Sequence, residues 1–278
     1  EPRNRFELVK RIHSGTMGDL FLARWGGFDG RPVAVRVFPP EFDGNPEDIA
    51  RFIRGSEKGG ELKHKSLVRL FRGGRTVARW RGRQAWWLAM EYLSGGSLRD
   101  KLAVTGDPMP VETVVRFAAD CCDALHELAS RGLVHRNINP SCILFGDDGG
   151  AKLGDFFLLR DEVIDTINSI TQTNIPLAEY AYQPPEQLGA EEGITPMADL
   201  YSLAACMYQA LTLKSPFNGD QPLPQLISAI RTAKVPRIRE INPAVPANLE
   251  ELILRTMSRN PLDRPAGPRE LKAMLAKL

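Results

Sequence analysis

The amino-acid sequence predicts an α+β fold in two successive lobes, strand-rich over about residues 1–92 and helix-rich over about 93–278, together forming one domain. Three observations predict it. Short β-branched and aromatic runs bounded by turn residues fill the first lobe. Apolar residues recur at three- and four-residue spacing from about residue 94 onward. The two patterns do not alternate in the βαβ manner of a parallel sheet. A length of 278 residues with 43% hydrophobic content is enough for a sizeable core.

Strands are expected at Phe6 to Ile12, Leu20 to Arg24, Pro32 to Phe38, Leu67 to Arg72 and Ala85 to Met90, with Gly26, Gly27 and Gly30 marking a hairpin between the second and third. One helix interrupts them, opening at Asn45 with Pro46 in its first turn and running toward Lys63. Gly55, Gly59 and Gly60 each cost it roughly 1 kcal/mol against alanine, which predicts a weak, short or mobile element. In the second lobe Val111, Val114, Ala118, Cys121, Leu125 and Leu128 trace a helix that Gly132 terminates. Further helices are expected at Asp199 to Thr212, Pro224 to Lys234, Asn248 to Ser258 and Pro268 to Leu278.

Composition excludes several functions. A net charge of +2 from 36 basic and 34 acidic residues gives no global field for nucleic acid or an acidic membrane. Arg72, Arg75, Arg79, Arg81 and Arg83 crowd Trp80, Trp86 and Trp87, but a hairpin between the fourth and fifth strands explains them more simply than a nucleic-acid surface. Cys121, Cys122, Cys142 and Cys206 lack metal-ligand spacing and read as reduced thiols of a cytoplasmic protein. The most apolar stretch, Leu200 to Leu213, is too short to insert in a membrane and is broken by Ser202 and Gln209. Strand pattern near Glu1 and a helix at Leu278 suggest a cytosolic domain of a larger protein.

Motifs carry the functional signal. In order they are His13-Ser14-Gly15-Thr16-Met17-Gly18, Val33-Ala34-Val35-Arg36, Leu62-Lys63-His64 and His135-Arg136-Asn137-Ile138-Asn139-Pro140-Ser141-Cys142-Ile143-Leu144. Lys152-Leu153-Gly154-Asp155-Phe156-Phe157, Tyr182-Gln183-Pro184-Pro185-Glu186, Asp199-Leu200-Tyr201-Ser202-Leu203 and Asn260-Pro261-Leu262-Asp263-Arg264-Pro265 follow. Over essentially the whole chain this series resembles the protein kinase superfamily, in its Ser/Thr branch, and Pro185-Glu186-Gln187-Leu188 leans toward the bacterial type. The resemblance implies a bilobal kinase-like fold.

It also implies an edited active site. Asn137 stands at the catalytic aspartate, Asn139 at a phosphate-touching lysine and Cys142 at the asparagine that holds a second Mg²⁺. Arg36 replaces the third-strand lysine, and Gly55 falls where its glutamate partner belongs. Phe157 replaces a glycine, while Asp155 is retained as a ligand for one Mg²⁺ at most. Ala178-Glu179 replaces the Gly-Thr before the substrate-facing segment. The resemblance assigns a nucleotide pocket to Ile12, Gly15, Gly18, Leu20, Ala34, Arg36, Met90, Glu91, Leu93 and Leu144. Glu186, Arg264 and Asp199 are retained as supports of the helical lobe.

Because an amide such as Asn137 cannot accept a proton, and general-base catalysis is worth about 10² to 10⁴ in rate, the tally favours a pseudokinase: a regulatory or scaffolding module that binds a protein partner and is not an enzyme. No cofactor is then expected, and ATP with Mg²⁺ would bind weakly at best. Thr166, Ser169, Thr171 and Thr173 are candidate acceptors for phosphorylation by another kinase. The alternative is an atypical ATP-dependent enzyme, a weak Ser/Thr kinase or another nucleotide transferase, working through Asp155 and a single Mg²⁺.

Overall fold

The computed structural model describes residues 6–15, 18–26, 30–39, 46–75, 84–155, 160–161, 177–189 and 194–278. The chain divides into two compact units, the first ending at Ser94 and the second beginning at Gly95.

In the first unit β1 (Phe6–Gly15), β2 (Gly18–Trp25) and β3 (Pro32–Val37) precede α1 (Pro46–Glu61), β4 (Leu70–Arg75) and β5 (Trp86–Glu91). The strands make one antiparallel sheet in the order β1-β2-β3-β5-β4. Alternation along each strand sends Val33, Val35 and Val37 to the same face as Phe21, Ala23 and Ala89, a cluster that Phe6, Leu8, Trp25 and Trp87 cover. Leu20 pairs with Arg36 and Ala34 with Met90, so these four share the opposite face. β4 and β5 pair antiparallel, with Gly74 opposite Trp87 and Arg75 opposite Trp86; Arg79, Trp80, Arg81 and Arg83 lie outside the described residues.

The glycine-bearing helix is not short: α1 runs for 16 residues. Tertiary packing outweighs its poor propensity, because Phe52 is buried edge-on against Phe38 at 5.0 Å and Trp86 at 5.5 Å. The fourth strand begins later than its apolar run suggests. Leu67 and Val68 are buried in the turn before it, held by the Leu67 N–H donating to the His64 carbonyl, and pairing starts at Leu70.

Gly18 shows what the β1–β2 turn requires. Its φ is +98°, and a Cβ there would lie 2.1 Å from the Val37 carbonyl oxygen. Gly18→Ala is therefore expected to destabilise the N-terminal unit by about 2 kcal/mol or more, from backbone strain plus a clash. Thermal denaturation checks this; an unchanged Tm would contradict it.

The second unit opens with α2 (Leu98–Thr105), which the periodicity did not predict because Leu98 is its only buried residue. Its sequence signal is the capping box: the Ser97 hydroxyl accepts from the Asp100 N–H, and the Asp100 carboxylate accepts from the Ser97 N–H. α3 (Val111–Ala129) buries the expected stripe and is followed by Gly132 at φ +66°. The pairs β6 (Leu133–Val134) with β9 (Arg160–Asp161), and β7 (Ile143–Phe145) with β8 (Ala151–Leu153), are too short to show a period. α4 (Pro196–Thr212) is buried almost all round. α5 (Leu223–Thr232), the brief α6 (Ile238–Ile241), α7 (Ala247–Thr256) and α8 (Pro268–Leu275) complete the unit, with α4 packed on α3 and α7, and α8 on α3. Among the described residues no helix is long and apolar enough to cross a membrane.

Candidate active site

The loop after β6 is organised by one buried carboxylate. Asp199, in the first turn of α4, is 2% exposed and accepts the N–H groups of His135 and Arg136, each at 2.8 Å. Burial pushes its carboxyl above the ordinary value, an effect opposed by His135 and the two amide donors. The two bonds hold Arg136 at φ +63°, a left-handed conformation rare for a side-chain-bearing residue. The His135 ring lies 2.7 Å from the Gly154 carbonyl through Nε2, and its Nδ1 faces the Asn137 N–H at 3.4 Å. Both contacts agree with a proton on Nε2.

The Asn137 carbonyl is the next hub. It accepts from Asn139 Nδ2 at 3.2 Å and from the Cys142 thiol at 3.1 Å, while Asn139 Oδ1 accepts the Ser141 N–H at 2.9 Å. The Gly154 N–H donates to the Cys142 carbonyl at 2.8 Å, and the next residue, Asp155, sits at φ +71° with its carboxylate 3.8 Å from the Cys142 sulfur. Burial first, then the charges of Asp155 and Glu179, push the Cys142 thiol well above its ordinary pKa. It is a neutral donor here.

The structure therefore brings together Asn137, Asn139, Cys142 and Asp155. Leu144 lies in the same unit on β7, opposite Lys152. In the N-terminal unit Leu20, Ala34, Arg36 and Met90 share a sheet face, and Gly15 and Gly18 close the β1–β2 hairpin. Ile12 sits at a register shift in β1 and is 43% exposed. Glu91 uses its own N–H on the Arg69 carbonyl at 2.8 Å and accepts the Arg69 N–H at 3.1 Å; Leu93 is half-buried just beyond. Gly55 lies inside α1. Phe156, Phe157, Thr166, Ser169, Thr171 and Thr173 lie outside the described residues.

Glu179 is a further participant, marked in the sequence only by its departure from Gly-Thr. Its carboxylate accepts from Asn139 Nδ2 at 3.4 Å and pairs with Arg99 at 3.5 Å. Arg99 in turn donates its N–H to the Pro140 carbonyl at 3.0 Å, tying α2 to the loop. The signal available in the sequence was a carboxylate at a position facing a loop that had lost one.

Among the described residues no group of three or more His, Cys, Asp or Glu side chains could hold a metal ion, and Asp155 is the one family metal position that keeps a carboxylate. Asp155 offers a hard carboxylate oxygen, and Mg²⁺ is commonly held by one or two carboxylates with water and phosphate oxygens completing its shell. Cys142 offers a soft, protonated sulfur already engaged as a donor, which does not suit a second.

Residues 6–274 match the family model described as protein tyrosine and serine/threonine kinase. The serine/threonine-protein kinase PknL of Mycobacterium tuberculosis is 35% identical over 261 residues, 94% of this chain and 62% of that protein. The serine/threonine-protein kinase PknB of Mycolicibacterium smegmatis is 30% identical over 275 residues, 99% of this chain and 43% of that protein. The chain thus spans less than two thirds of either relative.

These similarities correct the expectation of a pseudokinase, of a scaffold that is not an enzyme, and of a degenerate site needing no cofactor. The relatives are named for kinase activity, a reaction that draws on ATP and Mg²⁺. The expectation counted altered side chains at Arg36, Gly55, Asn137 and Cys142, took the frame held by Asp199 as a support only, and gave Glu179 no role. The chain belongs to the protein tyrosine and serine/threonine kinase family, with bacterial serine/threonine kinases among its relatives.

Proposed function

We propose that this domain is an atypical serine/threonine protein kinase that transfers phosphate slowly from ATP to a protein hydroxyl. One observation carries the reading: the Asp155 carboxylate lies against a catalytic loop whose backbone is still held by the paired bonds from His135 and Arg136 to Asp199. Phosphoryl transfer passes through a loose transition state, so positioning and charge stabilisation supply most of the catalysis. A braced loop retains the first of these after Asn137 has removed the usual carboxylate.

Asp155 would hold Mg²⁺, which supplies positive charge against the phosphate oxygens. In the N-terminal unit Leu20, Ala34 and Met90 offer an apolar face for adenine, and Arg36, on that same face, offers a permanent cation for phosphate. The family pattern also assigns nucleotide contacts to Ile12, Gly15, Gly18, Glu91 and Leu93 of the N-terminal unit and to Leu144 of the C-terminal unit. The substrate is a protein, and Thr166, Ser169, Thr171 and Thr173 are acceptors within this chain.

Calorimetric titration with ATP tests the nucleotide half of this reading. Binding is expected to require Mg²⁺ and to weaken roughly tenfold or more, about 1.4 kcal/mol, in Asp155→Asn. No heat of binding at millimolar nucleotide would overturn it.

A further inference from the structure

Glu179 lies in the turn Leu177–Tyr182, and its side chain is 13% exposed. Its Oε2 accepts from Asn139 Nδ2 at 3.4 Å, and the same nitrogen donates to the Asn137 carbonyl at 3.2 Å. A Glu179 oxygen and the backbone of Asn137 thus lie within hydrogen-bonding reach of one nitrogen. The position where a kinase of this family carries its catalytic carboxylate holds an amide, and a carboxylate from another segment stands beside it.

We infer that Glu179 is the proton acceptor for the substrate hydroxyl, supplying from the activation segment the carboxylate that Asn137 lacks. The inference rests on the phosphotransferase reading above. The substrate oxygen bonds to the γ-phosphorus of ATP, and the bond from that phosphorus to the β,γ-bridging oxygen breaks with its electron pair leaving on ADP. The hydroxyl proton passes to Glu179 and then to water. Arg99 pairs with the other oxygen, Oε1, at 3.5 Å and leaves Oε2 toward the loop. The Cys142 thiol and the Tyr182 hydroxyl, whose pKa values Glu179 helps to raise, remain neutral beside it and do not compete as bases. General-base geometry requires reach before pKa, and the shared Asn139 donor shows that reach to the loop exists.

The test compares four forms of the chain with ATP, Mg²⁺ and dephosphorylated casein as the probe substrate. Glu179→Gln keeps the shape and the Asn139 contact, and is expected to lower kcat about 10²-fold or more while leaving the KM for ATP nearly unchanged. Adding Asn137→Asp to Glu179→Gln is expected to recover at least about tenfold, since the carboxylate returns to the family's own position. Arg99→Ala removes the ion pair and keeps the base, and is expected to stay within about threefold of the unmodified chain. Full activity in Glu179→Gln, or an equal loss in Arg99→Ala, would overturn the inference. No transfer by the unmodified chain would instead overturn the phosphotransferase reading, and the inference with it.

Discussion

Arg264→Ala is expected to destabilise the C-terminal unit by about 3–5 kcal/mol, enough to remove most of the stability of an ordinary domain. Arg264 is 2% exposed, and every donor of its guanidinium has an acceptor. Two N–H groups meet the Glu186 carboxylate at 2.6 and 2.8 Å, and the others reach the carbonyls of Met197, Arg259 and Ser258 at 2.9, 3.2 and 2.8 Å. The group also lies 5.1 Å over the Tyr201 ring. One side chain thereby joins the end of the activation segment, the start of α4 and the loop after α7. Truncation leaves the Glu186 charge buried without its partner, which costs more than loss of the pair itself. Arg264→Lys keeps the charge but not the planar fork, and is expected to recover only part of the loss. The double change Glu186→Leu with Arg264→Met removes the orphaned charge but leaves three carbonyls without this donor, so its recovery is also partial. Chemical denaturation followed by circular dichroism checks the series; a loss under about 1 kcal/mol for Arg264→Ala would contradict it.

Asp155→Asn is expected to reduce phosphate transfer about 10²-fold or more, roughly 3 kcal/mol of transition-state stabilisation. Asparagine is the informative replacement because Asp155 sits at φ +71°, where asparagine is tolerated nearly as well as aspartate and alanine is not. It also preserves an oxygen 3.8 Å from the Cys142 sulfur. The fold is thus kept while the charge that would hold Mg²⁺ is lost. With Cys142 in the place of a second metal ligand, the site has no other carboxylate at the family's metal positions, so a large effect follows. A Tm close to that of the unmodified chain together with full activity would show that Asp155 does not serve the metal.

The sheet and helices were legible where period and length were strong. Val33, Val35 and Val37 announce a strand with one buried face, and the stripe from Val114 to Leu128 announces α3. α2 and the two-residue pair β6–β9 were not legible, since one buried leucine or two paired residues carry no period. α1 ran longer than its glycines suggested because Phe52 is fixed by two rings from outside the helix, information that local propensity does not contain. At the site the motifs located Asn137, Cys142 and Asp155, yet they pointed to an inert module. Motifs compare position with position. They do not show that Glu179, 40 residues from Asn139 in the chain, lands within 3.4 Å of it.

Intact-mass and fragment analysis of the purified chain after incubation with ATP and Mg²⁺ tests the central claim most directly. The account predicts addition of phosphate to serine or threonine residues, in this chain or in added casein, dependent on Mg²⁺ and largely lost in Asp155→Asn. Nucleotide left uncleaved and a protein mass unchanged after prolonged incubation would contradict it.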